Sequence, residues 1–174
     1  MDNLCTTPED KHDIIYVLRT SQQHHVQLGL IADQKANIIL GSYLIFITVT
    51  QGILDKNELL TIPIWILITA YTLAAFYSLM VITPRFRNKR MKTGSEHGNL
   101  LFFGGFSELS QDEYITILSS ELQSNQSAHE LLMKDIYQIG KVLQKKYRNL
   151  RLSYAILASG VLVSMVAFSI VKFF

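Results

Sequence analysis

The charge most suited to chemistry in this 174-residue chain gathers at the mouths of three apolar runs. Asp33 and Lys35 precede the first run, Arg85 and Arg87 follow the second, and Lys145, Lys146, Tyr147, Arg148 and Arg151 precede the third. Seven of these residues are cationic at neutral pH, against the single carboxylate of Asp33. Such a cluster does one of two things. It attracts anionic lipid headgroups through charge alone, or it grips an anionic small molecule, for which an arginine fork matches a phosphate with two parallel hydrogen bonds. A second source of binding chemistry is the stretch 93–109, which sets Phe102, Phe103 and Phe106 among four glycines. Its rings anchor a loop at a membrane interface, plug a helix bundle, or stack on a flat ligand while neighbouring N–H groups hold an anion.

The groups that enzymes need do not occur at a recognisable spacing. His12, His24, His25, His97 and His129 form no ligand pattern, and the lone Cys5 accompanies none of them. Adjacent His24 and His25 project about 100° apart on a helix, so one surface and one interface position are expected. Gly94 and Gly98 lack the Lys-Ser/Thr that would complete a phosphate-binding loop. A binding or membrane-acting protein is expected, with no catalytic residues, metal or cofactor of its own.

Hydrophobic residues make up 49% of the chain and charged residues only 17%, against about 25% in soluble domains. The mean hydropathy is +0.22, and the apolar residues fall in blocks at Ala36–Leu54, Leu59–Ile82 and Leu152–Val171. Each is long enough for a helix to cross about 30 Å of hydrocarbon, which takes roughly 20 residues. Residues 55–58 leave room only for a tight hairpin between the first two. No period-two alternation supports a barrel, so the spans are helices. The predicted fold is an all-α membrane protein with three transmembrane helices and cytosolic helical stalks. The polar residues 1–35 do not read as a cleaved signal peptide, and the first span is expected to act as its own signal.

Orientation follows from basic residues. Arg85, Arg87, Lys89, Arg90 and Lys92, with Lys141, Lys145, Lys146, Arg148 and Arg151, flank the segment 83–151, while the hairpin loop carries only Lys56. The positive-inside rule puts the amino terminus and that segment in the cytosol and the carboxyl terminus outside. An unpaired Cys5 fits a reducing compartment.

Thr7, Pro8, Glu9 and Asp10 read as a helix start near residue 8. From there Ile14, Leu18, His25, Leu28 and Ala32 form one apolar stripe. A second stripe, Ala128, Leu132, Ile136, Ile139, Leu143, Tyr147 and Leu150, runs into the third span without a break. The two stalks are of matching length and are expected to lie side by side. Ser110 and Glu113 form a capping box that starts a shorter helix, and the polar run 123–127 interrupts its stripe. The expected segments are therefore 1–35, a cytosolic amphipathic helix; 36–82, a transmembrane hairpin; 83–127, a basic and Phe/Gly-rich loop with a short helix; 128–151, a stalk helix; and 152–174, the third span.

Within the first span, Asn37, Gly41, Leu44, Thr48 and Gln51 fall within about 80° of one another at 100° per residue. That polar stripe is either a helix–helix seam or a water-lined path. Ala70/Ala74, Ala155/Ser159 and Gly160/Ser164 are small pairs at four-residue spacing, which permit close helix approach.

Several landmarks stand in a recognisable order. Ala32-Asp33-Gln34-Lys35-Ala36 leads into the first span, and Asn99-Leu100-Leu101-Phe102-Phe103-Gly104 is followed by Ser110, Glu113 and Tyr114. The segment Asp135, Ile136, Tyr137, Gly140, Lys141, Val142, Leu143, Lys146, Tyr147, Arg148, Leu150 and Arg151 leads into the last. Over residues 25–174 the chain resembles the small transmembrane effectors of bacterial Pycsar antiphage systems; residues 1–24 carry no such landmark. The resemblance implies an inner-membrane effector that responds to cyclic UMP or cyclic CMP made by a partner cyclase during phage infection. Membrane damage then stops the infected cell. The resemblance transfers no nucleotide-contacting residue. On physical grounds a phosphate, ribose and flat base are met by Lys146, Arg148 and Arg151 with Asn99 and Phe103. The expected partners are membrane lipid, the cyclic pyrimidine mononucleotide and further copies of the chain, with no nucleic acid polymer. The alternative is a constitutive scaffold or adaptor whose stalks dock a soluble partner. A small transporter is disfavoured, since three spans leave little room for an alternating site.

Overall fold

The structure, a computed structural model, describes residues 8–54, 61–83, 100, 101, 106, 109–123 and 125–173. The described residues form four helices: α1 (Pro8–Leu54), α2 (Thr61–Ile82), α3 (Gln111–Glu121) and α4 (Asn125–Phe173). Three of them, α1, α2 and α4, are long and apolar enough to cross a membrane. This is the all-α, three-span membrane architecture expected from the hydropathy blocks.

Each boundary has a local cause. α1 opens at Pro8, whose fixed φ suits a first helical turn. It comprises 47 residues, the expected stalk segment together with the first span. α2 tolerates Pro63 because it lies in the first turn, where the missing N–H has no intrahelical partner. α3 starts at the Ser110–Glu113 capping box: the Ser110 hydroxyl accepts from the Glu113 N–H, and the Glu113 side chain accepts from the Ser110 N–H at 3.0 Å. That backbone hydrogen bond and then the Ser110 hydroxyl hold the Glu113 carboxyl below its ordinary range. α3 closes at Leu122, whose amide donates to the Leu118 carbonyl at 3.0 Å, and the following Gln123 amide donates to the Ser120 carbonyl at 3.5 Å. α4 then runs 49 residues from stalk into span.

The chain divides into two compact units. The first comprises Met1–Gln27 and Arg85–Leu143. Among its described residues, Leu100 and Leu131 are buried apolar groups, and the Phe106 and Tyr114 rings lie 4.9 Å apart. His24 is exposed and His25 half-buried, the split that their 100° separation predicts.

The second unit, Leu28–Pro84 with Gln144–Phe174, contains all three spans. Its core is Ala32, Ala36 and Ile39 of α1, Ala74 and Val81 of α2, and Leu150 of α4, with Ile82, Tyr147 and Leu157 packed against it. Alanines dominate because lipid is as apolar as the core, so helix association comes from close packing and interhelical hydrogen bonds. Farther along, α1 and α2 meet through rings: Phe46 stacks on Tyr71 at 4.8 Å, and the Tyr43 and Thr72 hydroxyls are 3.3 Å apart.

The antiparallel seam between α2 and α4 is polar yet closed. Ser153 Oγ donates to the Ala74 carbonyl at 2.7 Å and lies 2.9 Å from Ser78 Oγ. Its only proton is committed to the carbonyl, so Ser78 is the donor to Ser153. Both serines are fully buried. Ser164 Oγ donates to the Pro63 carbonyl at 2.8 Å. Of the three small pairs, Ala70/Ala74 and Gly160/Ser164 lie in this seam, whereas Ala155 and Ser159 are exposed.

Gly160 shows how tight the seam is, since a Cβ placed there collides with the Cβ of Ala70. Gly160→Ala is therefore expected to destabilise the detergent-solubilised protein by about 1–3 kcal/mol through overpacking. Adding Ala70→Gly should recover most of the loss in a thermal unfolding measurement. A neutral single variant would show that the seam yields without strain.

Candidate functional site

At the end of the spans where Asp33 and Lys35 stand, α1 and α4 are joined by an ion pair. Lys146 Nζ donates to both carboxylate oxygens of Asp33, at 2.6 and 2.7 Å. The two side chains are only 24% and 32% exposed. By contrast, Glu130 and Lys134 pair within one turn of α4 with both side chains about 60% exposed. A pair of that second kind contributes at most a few tenths of a kcal/mol. The Lys146–Asp33 pair joins different helices and is partly shielded, so its attraction is less screened and removing one partner strands the other.

The pair sits in an ordered setting. Asp33 is flanked on α1 by Ala32 and Ala36, which have no exposed surface. Lys146 is followed by Tyr147, whose hydroxyl donates to the Leu28 carbonyl at 3.3 Å, and by buried Asn149 and Leu150. Helix spacing explains the alignment. Positions 146, 150, 153, 157, 160 and 164 keep to one side of α4, and that side faces the other spans.

Arg148 and Arg151 do not share this site. At 100° per residue they lie about 160° and 140° round α4 from Lys146, and both are exposed. The cations that sequence spacing grouped together therefore divide between two faces of one helix. Asn99 and Phe103, expected from the loop, lie outside the described residues, as do Arg85 and Arg87.

The polar stripe of α1 turns outward. Asn37, Gly41, Leu44, Thr48 and Gln51 are all exposed, and a Cβ added at Gly41 meets nothing within 4 Å. The seam that α1 makes within its own chain uses the opposite face, through Ala32, Ala36 and Ile39. Thr48 satisfies its hydroxyl on the Leu44 carbonyl at 2.9 Å.

In the first unit, a pairing that the hydrophobic stripes conceal joins the stalk segments. Gln22 Nε2 donates to Asp135 Oδ2 at 2.5 Å, and Asp135 is 2% exposed. Residues 22 and 135 are 113 positions apart, as are 33 and 146. The same offset thus recurs within each unit, and that was the signal available in the sequence. His25 Nδ1 and His129 Nε2 are buried without a hydrogen-bond partner.

Among the described residues no three His, Cys, Asp or Glu side chains gather as a metal site would require. Fold and site together define a three-span helical membrane protein with an interhelical ion pair at the basic end of its spans. The chain belongs to the Pycsar effector protein domain family, whose model matches residues 16–171. No curated protein and no solved structure matches it. Effector membership carries the reading of a component without a catalytic centre of its own.

The buried carboxylate gives a direct test of the stalk register. Gln22→Leu removes a hydrogen bond to a charged group and is expected to lower the unfolding free energy by about 1.5–3 kcal/mol. Asp135→Asn, which keeps an acceptor for Gln22, should be milder. Hydrogen exchange along α1 checks both, and equal protection in Gln22→Leu and the parent would place the register elsewhere.

Proposed function

We propose that this chain is a cyclic-nucleotide-responsive effector of the bacterial inner membrane that impairs membrane integrity during an antiphage, abortive-infection response. Its ligand is cyclic UMP or cyclic CMP supplied by a partner cyclase, and it acts as a homo-oligomer. The amino terminus is cytosolic and the carboxyl terminus periplasmic, as the basic flanks of 83–151 require. The observation that carries this reading is the family match over residues 16–171. A partly exposed lysine between two spans supports it, at the end that the basic flanks assign to the cytosol.

One small anion does not reach opposite sides of a helix. The ligand phosphate is therefore assigned to Lys146 and the arginines Arg148 and Arg151 to anionic headgroups, while Asn99 and Phe103 stay proposed ligand contacts on the sequence reading alone. The exposed stripe of Asn37, Gly41, Thr48 and Gln51 is assigned to contact between copies. Groups of that kind facing lipid gain by pairing with another helix. The scaffold alternative draws on Tyr16, Val17 and Tyr137, which expose 72%, 64% and 65% of their surface. It predicts a soluble partner retained with or without nucleotide.

The test is purified protein in liposomes with an entrapped dye, challenged with each cyclic mononucleotide in turn. Release is expected with a pyrimidine cyclic nucleotide and not with the purine ones. Indifference to all of them would overturn the proposal. Arg148→Lys with Arg151→Lys keeps the charge that headgroups read, so its dose response should overlay the parent. A rightward shift of roughly 10- to 150-fold, the value of lost charge-assisted bonds, would move the ligand to the arginine face. Changing Asn37, Thr48 and Gln51 together to Leu should abolish release with insertion intact.

A further inference from the structure

We infer that Asp33 is a built-in competitor for the ligand: its carboxylate occupies Lys146 at rest, and an anionic phosphate diester opens the α1–α4 contact by taking its place. This rests on the reading of the protein as a cyclic-nucleotide effector and assigns the regulation of that site. The Lys146 ammonium is already engaged by both Asp33 oxygens, at 2.6 and 2.7 Å. No anion reaches that ammonium at full strength while Asp33 stays. The exchange is balanced in charge, because one monoanion replaces another and the lysine never stands unpaired beside the hydrocarbon. Asp33, 32% exposed and two residues from exposed Lys35, passes to the headgroup region rather than to a buried vacancy.

The exchange has a mechanical consequence. The carboxylate belongs to α1 and the ammonium to α4, so whatever displaces the first from the second removes the charged contact between those helices at this end of the spans. What remains there is the Tyr147 hydroxyl on the Leu28 carbonyl, at 3.3 Å, and the packing of Ala32 and Ala36 with Leu150. At the same end, α2 and α4 keep the two-serine bond to the Ala74 carbonyl. Ligand exchange therefore loosens α1 selectively. α1 is also the span whose outward face carries Asn37, Gly41 and Thr48. A ligand shifts such an equilibrium only by its differential affinity for the two states, and here the difference is the ammonium that Asp33 releases.

The experiment measures equilibrium binding of radiolabelled cyclic UMP and cyclic CMP, with dye release, for the full chain in liposomes. Asp33→Asn keeps an acceptor for Lys146 and removes the competing charge. It is expected to bind at least tenfold more tightly and to release dye at correspondingly lower ligand, with release in the absence of ligand as the extreme of the same result. Asp33→Glu, which restores the charge, should stay within about threefold of the parent. Lys146→Met should lose binding and leak without ligand. A responsive parent with Asp33→Asn binding equally or more weakly, or with Lys146→Met binding at parental affinity, overturns the competition. A parent that binds neither nucleotide overturns the effector reading beneath it.

Discussion

A lysine and an aspartate at the edge of hydrocarbon must neutralise each other, and the rest of the spanning unit is arranged around that requirement. Lys146 and Asp33 meet because α1 and α4 run parallel with an offset of 113 residues. That register brings the Tyr147 hydroxyl to the Leu28 carbonyl and Leu150 into the core beside Ala32 and Ala36. Leaving either charge alone there is expensive, since a half-shielded ion regains neither full hydration nor a counter-ion. The pair therefore acts as a constraint on where the two helices stand more than as a source of stability.

The hydrocarbon imposes a second constraint, and the chain meets it in two different ways. On the α2–α4 seam each hydroxyl has a partner: Ser78 on Ser153, Ser153 on the Ala74 carbonyl, Ser164 on the Pro63 carbonyl. Gly160 lets the seam close against Ala70. On α1 the outward stripe is left to the surroundings, with Gly41 open and Asn37 and Gln51 exposed. A closed polar seam and an open polar stripe thus stand in one unit: the first holds the single chain together, and the second is the face that the proposed function assigns to another copy.

Much of this architecture was legible from residue order. Long apolar blocks marked the three spans, Pro8 the helix start, and Ser110 with Glu113 the short helix. The stripes from Ile14 to Ala32 and from Ala128 to Leu150 marked the stalk faces. Those signals are local, set within a few turns of one helix. Contacts between helices were less legible, because they need a register that a single stripe does not state. Lys146, Arg148 and Arg151 looked like one cluster in sequence, yet a helix turns 100° per residue and sends them to opposite faces. The pairing of Gln22 with Asp135 is not legible, since a polar residue beside an apolar stripe looks like solvent-facing surface until its partner is placed. Aligning the two stalks in parallel would have matched 22 with 135 and 33 with 146 at once.

The most direct measurement of the central claim is the distance between α1 and α4 at the ion pair. With Cys5 changed to Ser and spin labels at Leu30 and Leu152, both exposed in the single chain, the resting protein in liposomes should give one narrow distance distribution. Saturating cyclic pyrimidine nucleotide should lengthen or broaden it as Asp33 leaves Lys146. An unchanged distribution at ligand concentrations that release an entrapped dye would contradict the account, placing the ligand and the movement it drives elsewhere in the chain.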